Sequence, residues 1–333
     1  MTTLTVLGAL TGAALTGCGA GSPAPAPPAA PTPLSKACLL YTSLSGLRAI
    51  RDVYKRQALT GCGAGSPAPA PPAAPTPLSK ASAPASAAPE KPPTMAPGPA
   101  GRTPVFERRP TGGGTAGRSA EKVVALTFDA DMTADQGPRA ASGERFDNPE
   151  LIALLRRLKV PSTVFMTGRW AEEYPAQAKA IGADPLFEVA NHSYSHHAFS
   201  APCYGLPVVE KAAMTRDVER AFTAFRKAGV RNVVPYFRFP GGCYDDTALR
   251  ALAPADVTAV QWDVVSGDAF ATDAGAVAEQ VLDGVRPGSL VVMHCTRSAA
   301  PATEAAVRRI VPELRERGYR FVKVSELMED GAR

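Results

Sequence analysis

Residues 122–133 read KVVALTFDADMT, and this stretch decides the fold. From Val123 to Phe128 no charge interrupts the run, which is too short for a core helix and rich in β-branched residues. It therefore reads as a strand buried on both faces. The strand then breaks into two carboxylates, Asp129 and Asp131. The same grammar recurs downstream, with strands expected at 162–167 (STVFMT), 186–190, 234–239, 257–264 (VTAVQWDV), 289–295 (SLVVMHC) and 320–324. Helical periodicity fills the intervals: 149–158, with Asn148 as N-cap and Pro149 in the first turn, then 208–227, 246–252, 273–285 and 302–317. Apolar strands each followed by a helix imply an α/β protein with a parallel sheet, covered on both sides or closed as a barrel. About seven such units favour the barrel, whose chemistry belongs at the carboxyl ends of the strands.

Upstream the composition changes. Of the 33 prolines, 20 precede residue 118, and that stretch holds only three aromatics, Tyr41, Tyr54 and Phe106. So little apolar bulk cannot offset the entropy of ordering the chain, so 19–118 is expected to be an extended Pro/Ala-rich tether and 119–330 the folded domain. The first 18 residues, MTTLTVLGALTGAALTGC, form an apolar segment too short to span a membrane. They resemble a bacterial lipoprotein signal peptide, with Cys18 as the lipidated residue, although no Lys or Arg precedes the apolar run. This places the domain outside the cytoplasm, lipid-anchored or secreted, and touching the membrane only through the anchor. A net charge of +5 with 20% charged residues excludes a polybasic nucleic-acid binder as the leading reading.

Residues 14–37 recur without change at 58–81. Structural repeats diverge and carry a hydrophobic face, and this segment does neither. The interval 38–57 begins CLLYTS and ends DVYKRQ. Those hexapeptides are encoded by TGTCTCTTATACACATCT and by GATGTGTATAAGAGACAG, the complementary strand read one base along, and both match a transposase adapter end. We read 38–57 as sequencing-adapter contamination and 58–81 as an assembly duplicate.

The four histidines, His192, His196, His197 and His294, occupy two places: NHSYSHH after the third strand and VVMHC at the end of the sixth. His192 and His196 stand four apart, so on a helical turn both rings would face one divalent cation. Asp129 or Asp131 would supply the oxygen ligand. The ordered set TFDAD, HSYSH, RFPGG, WDVVSGD and VMH resembles the polysaccharide deacetylases, the NodB-homology domains of carbohydrate esterase family 4.

That resemblance, covering about 120–326, implies a distorted seven-unit β/α barrel. It also implies a divalent metal, zinc first with cobalt or nickel as alternatives, and removal of N- or O-acetyl groups from sugars. It assigns His192, His196 and Asp131 as metal ligands, Asp129 as base and His294 as the acid that protonates the leaving amine. Arg238 would orient Asp129, and Asp268 or Asp263 would balance Arg238. Gly241 or Gly242 would offer an oxyanion N–H, and Trp262 would line the core or pocket. The chain departs from the pattern where Ala130 separates the two aspartates, and where Val265 and Ala269 replace an aspartate and a tryptophan. The expected enzyme is a monomer acting on peptidoglycan N-acetylglucosamine, with chitin-like polymers and acetylated xylan as other substrates. The competing readings are a non-catalytic glycan-binding protein on the same fold and another metallohydrolase such as an amidase. Cys203 and Cys243, both expected on rim loops, are the candidate disulfide pair, with Cys295 as a competing thiol.

Overall fold

Strand β2 (Val123–Ala130) lies at the middle of a parallel sheet and is buried at all of its positions. The computed structural model describes residues 91–110 and 121–332, so Cys18, both repeat copies, the 38–57 insert and most of the tether lie outside the described residues. On one side of β2 follow β3 (Ser162–Met166), β4 (Phe187–Asn191), β5 (Val233–Phe237), β6 (Thr258–Val260) and β1 (Val105–Phe106). On the other side stand β8 (Ser289–His294) and β7 (Val264–Val265), while β9 (Arg320–Phe321) pairs with the start of β2. Side chains alternate across β2. Val124, Leu126 and Phe128 face the outer helices, whereas Val123 and Ala125 face the barrel interior. Asp129 continues the interior set and so emerges at the carboxyl mouth.

The outer layer consists of α1 (Gly137–Ala141), α2 (Pro149–Leu158), α3 (Gly168–Glu173), α4 (Pro175–Gly182), α5 (Met214–Ala228), α6 (Asp246–Leu252), α7 (Ala274–Gly284) and α8 (Thr303–Glu316). In α2 the Asn148 side chain accepts the Leu151 N–H at 3.1 Å, as its sequence predicts, and Lys159 ends the helix in the left-handed region. Its buried face carries Leu151, Ile152, Leu154 and Leu155. Each such side chain contributes about 2 kcal/mol by burial, and Leu155→Ala would cost about 2–5 kcal/mol. A last helix, α9 (Val324–Ala332), packs Leu327 and Met328 among the interior residues. Its first turn is held by buried Glu188, which accepts from the Ser325 N–H at 3.1 Å and the Ser325 hydroxyl at 2.6 Å.

Three expectations are corrected. Segment 257–264 is two strands: β6, next to β1 near one end of the sheet path, and β7 at the other end, joined by only Gln261, Trp262 and Asp263. Four residue steps reach at most about 14 Å, so the sheet must curl until its ends approach. No ladder pairs these ends among the described residues, and this open seam is the distortion of the barrel.

The second correction concerns the tether. Residues 91–110 belong to the domain: Met95 N–H donates to Thr258 Oγ1 at 3.0 Å, and β1 pairs with β6. Phe106 is buried beside Phe165 and Val260. Its carbonyl accepts the Gln261 N–H at 2.8 Å, Arg109 N–H donates to the Gly288 carbonyl at 3.0 Å, and Arg108 lies 3.8 Å from Asp263. This strap crosses the seam from β6 towards β8. A low average content of apolar residues did not reveal one well-placed aromatic.

Third, the helix expected from Val208 begins at Met214, because Ala198 pairs with Val208 and residues 211–213 form a 3-10 turn. Helices α1, α3, α4 and α9 and strand β1 were not foreseen.

Candidate active site

In parallel register Asp129 of β2 lies beside His294 of β8. Asp129 is buried, and its Oδ1 accepts from Arg238 Nη1 at 2.6 Å. Arg238 follows β5 and is wholly buried. Its Nε donates to the Val260 carbonyl at 3.2 Å, its Nη2 reaches the Gln261 carbonyl at 3.5 Å, and its guanidinium stacks 3.8 Å from the Phe165 ring centre. An unpaired buried charge would be strongly destabilising, so Arg238 and Asp129 each require the other. This corrects the expected partner of Arg238. Asp268 pairs with His294 instead, and Asp263 accepts from Ser289 and Leu290 at the start of β8, remote from the mouth.

Asp131 stands one residue beyond β2, where its N–H donates to Thr296 Oγ1 at 2.9 Å. Its Oδ1 lies 3.4 Å from His192 Nε2 and 3.7 Å from His196 Nε2, and its Oδ2 lies 3.9 Å from His294 Nε2. His192 Nδ1 is 2.9 Å from the Arg238 carbonyl. A carbonyl only accepts, so the proton sits on Nδ1 and the Nε2 lone pair faces Asp131. Burial lowers both His192 and His196 to about 4, which leaves them neutral near pH 7. Burial likewise raises Asp131 above the usual carboxylate range, against the pull of His294 and His192.

The two imidazoles do not lie on a helical turn, as the four-residue spacing suggested. The loop is irregular, with Ser193 and His196 in the left-handed region at φ 67° and 56°. Asn191 Oδ1 receives the Ser193 N–H at 2.8 Å, and Asp217 of α5 receives the N–H groups of Tyr194 and Ser195. These contacts aim both rings at one point, with ring centres 5.0 Å apart.

Among the described residues, Asp131, His192 and His196 form the group able to hold a metal, their donor atoms lying within 4.8 Å of one another. The fit to a cation is chemical. Asp131 Oδ1 is buried with no hydrogen-bond partner, a state that costs about 1–3 kcal/mol unless something satisfies it. Two neutral imidazole nitrogens converge on that same oxygen, and an oxygen with two nitrogens suits a divalent ion with open positions.

His294 is held from the other side. Its Nδ1 lies 2.8 Å from Asp268 Oδ1, and its N–H donates to Asp268 Oδ2 at 2.7 Å. Burial alone would lower this imidazole, but the Asp268 carboxylate overrides it and carries His294 up to about 10. The ring is therefore protonated near neutral pH, with Nε2 facing the Asp131 carboxylate. Thr303 and Ser266 also donate to Asp268, at 2.6 and 2.8 Å.

Gly241 and Gly242 form the turn after β5, both with positive φ, and Trp262 is half-buried against Gly242. The Gly242 N–H is spent on the Phe239 carbonyl at 2.8 Å. Cys203 and Cys243 are disulfide-bonded. Among the described residues Cys295 is the free, buried thiol, pushed up to about 12 by burial, and so is unreactive near neutral pH. Sequence reasoning missed Thr296, Thr303 and Asp217, which act through loops distant in the chain. Only Thr296, two residues after His294, carried a local hint.

The family profile described as polysaccharide deacetylase matches residues 116–260. A chitooligosaccharide deacetylase of Sinorhizobium fredii (strain NBRC 101917 / NGR234) is 31% identical over 202 residues, covering 56% of this chain and 86% of the relative. A peptidoglycan-N-acetylglucosamine deacetylase of Bacillus cereus is 28% identical over 210 residues, covering 62% of this chain and 89% of the relative. In structure, the chain is similar to a crystallised peptidoglycan N-acetylglucosamine deacetylase carrying an N-oxidanyl-benzamide. The TM-score is 0.55 at 22% identity, with 68% of this chain and 92% of that one covered.

Proposed function

The chain belongs to the polysaccharide deacetylase family, and we propose that it is a metal-dependent hydrolase of N-acetylglucosamine units in a cell-wall glycan, with peptidoglycan as the leading substrate. The observation that carries metal dependence is the orphaned Oδ1 of Asp131, faced by two neutral imidazole nitrogens. Asp131, His192 and His196 would hold the cation, zinc first with cobalt or nickel as alternatives. When bound it supplies Lewis acidity towards the acetyl carbonyl and acidifies water. Asp129 accepts the proton of the attacking water, and Arg238 fixes its carboxylate at 2.6 Å. The Gly241 N–H is the oxyanion donor we assign, since the Gly242 N–H is engaged. Protonated His294, held by Asp268, gives its proton to the nitrogen as the C–N bond breaks. Acetate and the free amine leave, and the proton on Asp129 returns to solvent as His294 is recharged.

We also infer an extracytoplasmic, lipid-anchored location. The LTGC sequence ending at Cys18 supports it, and so does the Cys203–Cys243 bridge, since disulfides persist outside the reducing cytoplasm. Cys18→Ser should release the protein from membranes; unchanged membrane retention would refute the anchor.

Acetate release from peptidoglycan, N-acetylglucosamine oligomers and acetylated xylan, before and after chelation and zinc or cobalt return, tests the enzymatic reading. Release that chelation abolishes and metal restores is expected. A folded, metal-loaded protein that binds glycan without releasing acetate would instead be the non-catalytic binding protein.

A further inference from the structure

The loop after the histidine motif departs from and returns to one place. Ala198 N–H donates to the Pro207 carbonyl at 2.8 Å, and Val209 N–H donates back to the Ala198 carbonyl at 2.9 Å. Between these anchors the chain lies over the Gly241–Gly242 turn. The Cys203–Cys243 disulfide, with Cα atoms 5.9 Å apart, ties the two together. A β-carbon at Gly241 would lie 2.6 Å from Cys203 Sγ and 3.3 Å from Tyr204 Cδ2. Glycine therefore lets the loop lie flat on the backbone that offers the oxyanion N–H. On the turn's other glycine, a β-carbon at Gly242 would lie 2.6 Å from the Trp262 ring.

Tyr204 is 68% exposed, although its ring lies against this turn. Its backbone is left-handed at φ 46°, a costly state for a bulky residue and one retained where neighbouring structure enforces it. The preceding residue, Cys203, is tied to Cys243 by the disulfide. A rigid, exposed aromatic ring gives large contact area at low entropic cost. The C–H face of a pyranose ring is the matching surface.

We propose that Tyr204, held in place by the Cys203–Cys243 disulfide, is the stacking platform for the sugar ring adjoining the one that loses its acetyl group. This assignment rests on the deacetylase reading for its ligand. The disulfide is a positioning element in it, and the ring face is the part that meets the sugar.

The test separates binding from turnover. Affinity for a tetramer of N-acetylglucosamine is titrated in the metal-loaded Asp129→Asn protein, which binds without rapid turnover. In that background Tyr204→Ala should weaken binding about tenfold, the worth of one aromatic contact, while Tyr204→Phe stays within about twofold. With Asp129 intact, Tyr204→Ala should raise KM for the tetramer about tenfold and change kcat less than about threefold. Cys203→Ser with Cys243→Ser should reproduce the Tyr204→Ala loss; if circular dichroism shows that this pair unfolds, the Tyr204 series decides alone. Unchanged affinity and KM in Tyr204→Ala overturn the proposal, as does absence of tetramer binding in the Asp129→Asn protein. No acetate release by the unaltered protein refutes the deacetylase reading instead, and the binding series still decides whether Tyr204 is a platform.

Discussion

Replacing Phe106 by Ala tests whether the strap before β2 is part of the fold or part of a tether. Phe106 is 7% exposed and packs with Val123, Phe165, Val234 and Val260 in the barrel interior. Emptying such a place costs about 3–5 kcal/mol, whereas a substitution in an unpacked tether stays within about 0.5 kcal/mol. For a domain of this size each kcal/mol moves the melting temperature by about 2–4 °C, so a fall of roughly 10 °C is expected. The site should respond as well. Phe106 accepts the Gln261 N–H at 2.8 Å, and β6 with Gln261 supplies the carbonyls that hold Arg238, the partner of Asp129. Thermal melts followed by circular dichroism, with acetate release on the same samples, provide the measurement. Removal of residues 1–90 should leave both quantities unchanged, while removal of 1–118 should lower both. If Phe106→Ala melts within about 2 °C of the unaltered protein, and both shortened chains behave alike, the strap contributes nothing and the reasoning fails.

Asp131→Ala should lower bound zinc and activity together, whereas Asp129→Asn should keep zinc and lose about 10²–10⁴ in rate; zinc lost in the second and kept in the first would reverse the two roles. In the metal-free protein, the His294–Asp268 pair raises His294 from 6.5 to about 10, so its stabilisation is full below pH 6.5 and drains away as pH rises to about 10. Urea midpoints should decline across that window, and His294→Gln should flatten the decline; an equal slope in both proteins would refute the linkage. Phe270 is 86% exposed with φ 62°, so Phe270→Gly should relieve backbone strain and raise stability by up to about 1 kcal/mol in urea titration, and a clear loss would show that the ring is held by contacts of its own.

What was legible in the sequence was whatever a short window carries. The apolar run at Val123–Phe128 gave a central strand because burial on both faces leaves no room for polar alternation. Asn148 and Pro149 gave a helix start because capping is a local hydrogen bond. Phe106 was obscured by averaging: one aromatic among many prolines and alanines has little statistical weight, yet a barrel seam needs only one well-placed ring to cover it. The break of VTAVQWDV into β6 and β7 was hidden for another reason. An apolar run has the same composition whether it continues along one strand or crosses the seam of a curled sheet, and only the partners β5 and β8 distinguish the two.

The inserted Ala130 shows where local logic holds and where it stops. Strand alternation turns Asp129 inward and Ala130 outward, and Ala130 is indeed packed among the residues facing the outer helices. The same alternation carries Asp131 back towards the mouth, so an insertion between two carboxylates need not separate them in space. Alternation alone cannot fix Asp131, however, because the strand has ended there. Its N–H is held by Thr296, which follows His294 on the neighbouring strand's exit, and Cys295 N–H donates to the Asp129 carbonyl at 2.7 Å. The exits of β2 and β8 therefore continue to pair beyond the regular ladder. That pairing brings the histidine assigned as acid and the carboxylate assigned as metal ligand to opposite sides of one small space. Spacing within the aspartate motif can then vary, provided the β8 exit still supplies a donor to the residue one step past the strand.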